Sequence, residues 1–280
     1  MKNKLYPCLW FESAGKQAAE LYKETFPNTS ITTDNGMVVM ADIDGCQLMM
    51  LNGGPMFKPN ASISLFVVFD KEEELDKAWA KLSDGGQVFM ALNKYPWSEK
   101  YGWIQDKFGI AWQLMLTKPE LKEQRVIPAL MFTKAVAGKA EEAMQLYTSL
   151  FPQSFIKDVS RYEKGEGDVE GTVKHGRFTL CGQLFVAMDS SAAHAFSFDE
   201  GMSIAVNCDT QEEIDHYWNG LTANGGMESM CGWLKDKYGV SWQIVPSMLG
   251  SLMSDPQKGQ RVMQALMKMK KLDIAALTNA

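Results

Sequence analysis

Histidine is scarce in this chain. Only His175, His194 and His216 occur in 280 residues, all in the second half. An imidazole-based metal or proton-transfer site in the first half is thereby excluded. No apolar run reaches the length of a bilayer-spanning helix, so a membrane is not an expected partner. The apolar stretch before Glu12 is too brief for a secretory h-region. Basic residues are also in deficit, with 28 Lys+Arg against 34 Asp+Glu and a net charge of −6. Such a surface repels phosphate backbones, and nucleic acid is not an expected partner either. The cysteines Cys8, Cys46, Cys181, Cys208 and Cys231 are odd in number and contain no close pair. They read as reduced thiols of a cytoplasmic protein. No G-x-S-x-G nucleophile elbow is present. GEGDVEG at 165–171 is followed by TVKHGRFTL, which alternates like strand and turn. A phosphate-binding glycine loop must open a helix, so this stretch reads as a hairpin loop, with His175 in the turn.

What is present is a duplication. GWIQDKFGIAWQL at 102–114 returns as GWLKDKYGVSWQI at 232–244, with Gly, Trp, Asp, Lys, Gly, Trp and Gln all repeated. The correspondence extends along the chain. Pro7 and Phe11 match Pro128 and Phe132, Leu21-Tyr22 matches Leu146-Tyr147, and Gln47-Leu48 matches Gln183-Leu184. The expected organisation is one domain at 1–118, a linker at 119–126, a second domain at 127–246 and a helical tail at 247–280. A hydrophobic share of 46% against 22% charged residues suffices for two cores. The copies differ in loop length at 91–101 and 157–172, which predicts different pocket mouths on like frames.

Within a copy, a strand at 5–11 leads to a helix over about 15–26, then to strands near 31–33, 37–43 and 46–51. The order then restarts. A strand at 62–69 feeds a helix at 71–82 with Leu75, Ala78, Trp79 and Leu82 as its apolar stripe. Asp70 with Glu73, and Asp209 with Glu212, read as capping boxes with aspartate as the cap. Each copy is therefore two βαβββ modules in series, an α+β pattern. In the tail, Asp255-Pro256 marks a helix start, with Val262, Leu266 and Met269 apolar.

The segments PCLWF, LYKETFP, NGGP and GWLKDKYGVSWQIVP, with VMQALMKMKKLDIAAL in the tail, closely resemble the PhnB-like family. That family carries a 3-demethylubiquinone 3-methyltransferase-like label. It belongs to the vicinal oxygen chelate superfamily of glyoxalase, bleomycin-resistance and dioxygenase proteins. The resemblance implies tandem glyoxalase-like domains, in which two βαβββ modules curl a mixed sheet around a cavity. It also implies domain pairing, supplied internally here, with a homodimer as a further assembly. Metal-dependent relatives place His, Glu or Gln ligands on the first and last strands of each module. Carried over, those positions fall on Tyr6 and Ile127, on Ser62 and the Gly201-Met202 region, and on Met49-Met50 and Val186-Ala187. Only the last strand keeps a donor, Gln113 after Gly109 and Gln243 after Gly239. A neutral amide alone does not hold a metal ion, so neither a metal nor a cofactor is expected. For S-adenosylmethionine, no strand–glycine loop–helix is present.

By strand alternation, Trp112 and Trp242 face the helices if Gln113 and Gln243 face the cavities. Trp10 shares the cavity side with Cys8, and Trp97 and Trp103 border the long loop of copy one. The candidate ligand-binding residues are Trp10, Met49, Trp97, Trp103 and Gln113 in copy one. In copy two they are Met131, Glu170, His175, Asp189, Trp233 and Gln243. Together they describe an apolar pocket with few polar points. The expected function is metal-independent binding of a small apolar or aromatic molecule. The alternative is an enzyme, either a metal-dependent lyase, transferase or dioxygenase, or the methyltransferase of the label. Its acid and base groups would come from Glu170, His175, Asp189 and His194.

Overall fold

The computed structural model describes residues 4–119 and 124–280, so 120–123 of the expected linker lie outside the described residues. Four βαβββ modules follow one another. The first runs β1 (Leu5–Phe11), α1 (Gly15–Thr25), β2 (Thr29–Asp34), β3 (Val38–Ile43) and β4 (Cys46–Asn52). The second has β5 (Ile63–Phe69), α2 (Glu72–Ser83), β6 (Gln87–Tyr95), β7 (Ser98–Gln105) and β8 (Ala111–Leu116). The third has β9 (Val126–Phe132), α3 (Ala140–Leu150), β10 (Phe155–Arg161), β11 (Val173–Leu180) and β12 (Gln183–Asp189). The fourth has β13 (Met202–Cys208), α4 (Gln211–Thr222), β14 (Met227–Glu228), β15 (Trp233–Lys235) and β16 (Ser241–Pro246). The tail forms three short helices, α5 (Leu249–Met253), α6 (Gly259–Leu266) and α7 (Ile274–Thr278). No helix among the described residues is long and apolar enough to cross a membrane.

The chain divides into two compact units, Pro7–Met202 and Ser203–Ala280, the latter taking in the chain start up to Tyr6. The larger unit contains an eight-stranded mixed sheet in the order β10-β11-β12-β9-β5-β8-β7-β6. Its central pairing joins β5 of copy one to β9 of copy two, antiparallel, with Ser64 opposite Ala129 and Phe66 opposite Ile127. The sheet thus unites the second module of copy one with the first module of copy two, and the internal pairing of the repeat is a backbone ladder. The same unit carries the run β1-β4-β3-β2, with β1 and β4 parallel. In the smaller unit, β13 pairs with β16 in parallel, and β15 pairs antiparallel with β16 and β14.

The duplicated sequence segment builds a turn. Asp106 Oδ1 accepts the amides of Phe108 and Ile110, and Oδ2 accepts the Trp112 indole N–H at 2.8 Å and the Tyr22 hydroxyl at 2.9 Å. Asp236 does the same for Tyr238, Val240 and Trp242. Gly109 and Gly239 close these turns at φ +91° and +85°, where a side chain is strained. Trp112 and Trp242 are 0% and 1% exposed, packed on the helix side as strand alternation requires. The repeated segment therefore does structural work, since in each copy the Asp anchors the Trp.

Two expectations about helix starts need correction. The N-cap of α2 is Lys71, with no side-chain cap bond, and that of α4 is Thr210, whose hydroxyl accepts from the Glu213 amide. Glu213 also accepts the amide of Asp209, the residue before the cap, so the cap is Thr210, one residue along from the Asp209 reading. In the tail, Asp255 caps the turn before α6 by accepting from Gln257 and Lys258, and Met269 lies beyond the helix end. The tail packs within its own unit. Val262, Leu266, Leu272 and Leu277 form a cluster reached by Cys231 and Val245.

Candidate functional site

The inner face of the eight-stranded sheet can be mapped from register. One row across β9, β5, β8 and β7 reads Ile127, Phe66, Gln113 and Trp103. On one side of it lie Ala129, Ser64 and Ala111, a floor of small side chains. On the other lie Val68, Met115 and Tyr101. Most of these belong to one cluster, on which Met131, Met188 and Phe196 also pack. The central row thus lies between a strip of small side chains and a strip of larger ones.

Two ring contacts show that the sheet curls. His175 on β11 lies three strand steps from Phe66 on β5, about 14 Å in a flat sheet. Their ring centroids are 6.4 Å apart. Trp103 on β7 meets Phe196 from the loop after β12 at 6.3 Å. That loop is anchored by the Thr133 hydroxyl, which donates to the Phe196 carbonyl.

The two faces of β5 are buried to slightly different degrees. On the central strand β5, Leu65, Val67 and Phe69 point to the helices and are 0% exposed, whereas Phe66 and Val68 on the inner side are 7% exposed.

Gln113 sits in the middle of the central row and is not a lone polar group. Its Oε1 accepts the Tyr101 hydroxyl at 2.7 Å, and its Nε2 donates to the Ser64 hydroxyl at 2.7 Å. In the smaller unit, Gln243 repeats half of this arrangement, donating to Ser203 at 3.0 Å. Cys231 stands there at the sequence position of Tyr101. Sequence reasoning looked to Ser62 and to Gly201-Met202. The partners are Ser64 and Ser203, and the parity of strand 62–69 already put Ser64 on the same face as Ser62. Tyr101, Phe66 and Phe196 were also missed, since a face shared between two modules has no sequence periodicity.

Burial shapes the ionisation of the site. Desolvation holds the His175 imidazole below its ordinary value, with Asp158 opposing and Arg177 adding to the effect. Arg177 is bound by Asp158, its Nε lying 2.9 Å from Oδ2. Burial also pushes the Tyr101 hydroxyl up, so it stays a neutral donor.

The structure brings Trp97, Trp103, Gln113, Met131 and His175 together in this unit. Trp97 is 55% exposed and stacks on Tyr95 at 5.1 Å at the rim. His175 lies inside β11, not in a hairpin turn; the turn falls earlier, and β11 starts at Val173. Its ring therefore faces inward. Trp10 and Met49 lie on the run β1-β4-β3-β2, where the Trp10 indole donates to the Gly54 carbonyl. Trp233 and Gln243 lie opposite one another in the smaller unit. Asp189 is committed to the backbone, accepting the amides of Gly138, Ala140 and Val173. Glu170 is exposed, and His194 shares a contact with Ser190 in the loop after β12. The four groups offered as an acid–base set thus do not converge on Gln113.

The donor set can be tested for a divalent ion. The groups around Gln113 are a hydroxyl and a phenol, those around Gln243 a hydroxyl, and all are neutral. Among the described residues no three His, Cys, Asp or Glu side chains gather. Tight transition-metal sites use imidazole, thiolate or carboxylate, so these residues do not fit one.

The family model for 3-demethylubiquinone-9 3-methyltransferase matches residues 3–115 and again 124–245, once in each copy of the repeat. The chain belongs to that family. It is 29% identical over 96 residues to Protein YjdN of Escherichia coli strain K12, a match spanning 34% of this chain and 62% of YjdN. A PhnB protein from Bacillus cereus is 29% identical over 40% of this chain and 98% of its own, with a TM-score of 0.38. Glyoxalase I from Zea mays is 9% identical and covers 87% of this chain and 92% of its own, with a TM-score of 0.57. That likeness spans both copies and shows the fold, tandem glyoxalase-like domains of the vicinal oxygen chelate type.

Proposed function

We propose that this family member binds a small apolar or aromatic molecule on the inner face of its eight-stranded sheet, without a metal ion. The observation that carries this reading is the cluster of Phe66, Tyr101 and Trp103 around the Gln113 amide, whose inner-face members Phe66 and Val68 keep 7% exposure while Leu65, Val67 and Phe69 on the helix side keep none. An aromatic-lined hollow with a few fixed polar groups is the usual form of a small-molecule site. Stacking on Phe66 and Trp103 would supply most of the affinity, and the Gln113 amide would orient the ligand. The neutral amide–hydroxyl pair argues against ion-assisted chemistry there. Free thiols at all five cysteines accord with a cytoplasmic setting.

A second reading is turnover, including the methyl transfer that the family name carries. One observation favours it: His175 faces the hollow with its proton affinity lowered, which suits a general base. Metal analysis and calorimetry on the full chain discriminate. Binding of 2-ethylnaphthalene that is unchanged by EDTA, with no tightly held transition ion, supports the binding reading. One ion per chain whose removal abolishes binding overturns it.

A further inference from the structure

The hydrogen bonds around Gln113 run in one direction. The Tyr101 hydroxyl donates to Gln113 Oε1, and Gln113 Nε2 donates to Ser64 Oγ. The relay ends at the Ser64 hydroxyl proton, which is given to no acceptor among the described residues. Ser64 is 2% exposed, so bulk water does not stand in freely. A second donor is unmet on the same face. Trp103 Nε1 is buried and has no hydrogen-bond partner among the described residues. Trp103 lies directly across from Gln113 in the β7–β8 ladder. An unmet buried donor costs about 1–3 kcal/mol.

We infer that the ligand of this face is an uncharged aromatic molecule carrying an acceptor oxygen, such as an aryl carbonyl, met by the Ser64 hydroxyl and the Trp103 indole N–H. This rests on the binding reading above and adds the chemical class. The two unmet groups are donors, so the complement is an acceptor. No net charge is asked of it, because Arg177, on the same face of β11 as His175, is already matched by Asp158. An anion would enter an apolar hollow without a counter-charge, and burying it so is costly.

The test compares two probes of nearly equal shape, 2-acetylnaphthalene and 2-ethylnaphthalene, by calorimetry on the full chain. The wild-type protein is expected to prefer the acetyl compound by about tenfold, the scale of one net hydrogen bond. Ser64→Ala should erase most of that preference. Trp103→Phe, which keeps an aromatic ring and removes the N–H, should reduce it independently. It carries the test if circular dichroism shows Ser64→Ala unfolded. Equal wild-type affinities, a preference that survives the variants, or tighter binding of 2-naphthoate would overturn the inference and leave the apolar site standing. Failure of both neutral probes to bind would overturn the binding reading itself, and this inference with it.

Discussion

The indole N–H of Trp112 donates to the buried carboxylate of Asp106 at 2.8 Å. The same pair recurs as Trp242 and Asp236 at 3.0 Å. Asp106→Ala would strand the Trp112 indole, the Tyr22 hydroxyl and two backbone amides away from water. The expected loss is about 3–5 kcal/mol of unfolding free energy, since each stranded donor costs about 1–3 kcal/mol before relaxation. Urea denaturation of the variant measures it, and a loss within experimental error would show the turn to be held by its backbone alone.

His175 should make stability depend on pH. Its folded-state proton affinity is lowered, chiefly by desolvation. The unfolded chain, titrating near the ordinary value of about 6.5, binds the proton more readily. Its contribution is therefore present above about pH 6.5 and is lost as pH falls toward the folded-state value. Denaturation midpoints at pH 7.5 and 5.5 should differ more for the wild type than for His175→Gln. His194 is shifted the same way and will leave a residual slope.

The thiols should separate by reactivity. Burial pushes Cys46 and Cys208 up to about 12, and Cys8 is 1% exposed. Cys181 and Cys231 are half-buried. Native protein treated with iodoacetamide at pH 8 is expected to be alkylated at Cys181 and Cys231 first, as read by peptide mass spectrometry. Early labelling of Cys46 would show that β4 opens locally.

Trp97 offers a separation of binding from stability. It is 55% exposed and rests on Tyr95 and Tyr101 at 5.1 and 5.7 Å. Trp97→Ala should change unfolding free energy by less than about 1 kcal/mol, as befits a surface site. The same variant should weaken 2-acetylnaphthalene several-fold if the hairpin rim covers the ligand. An unchanged affinity would place the ligand deeper, against Phe66 alone.

Much of this was legible in the chain. The GWxxDKxGxxWQ repeat announced the duplication, and the strand–helix–three-strand order of each module followed from local apolar periodicity. The facing of Trp112 and Trp242 followed from alternation alone. Such features are set by neighbours within a few residues. The cap of α4 slipped by one residue because Asp209 and Thr210 are both good caps, and only backbone geometry at Thr210, β-extended at φ −129°, chooses between them.

What the amino acids could not settle by themselves was which modules share a sheet and which polar groups meet. The β5–β9 ladder joins strands of different copies, and strand edges carry the same backbone donors and acceptors in every module. Only the register of that ladder, and of β5 on β8, places Ser64 under Gln113 and turns His175 toward Phe66. Local sequence thus determined the modules and their faces. Long-range pairing decided which side chains share the inner face, because a curled sheet brings together side chains whose separation along the chain has no period.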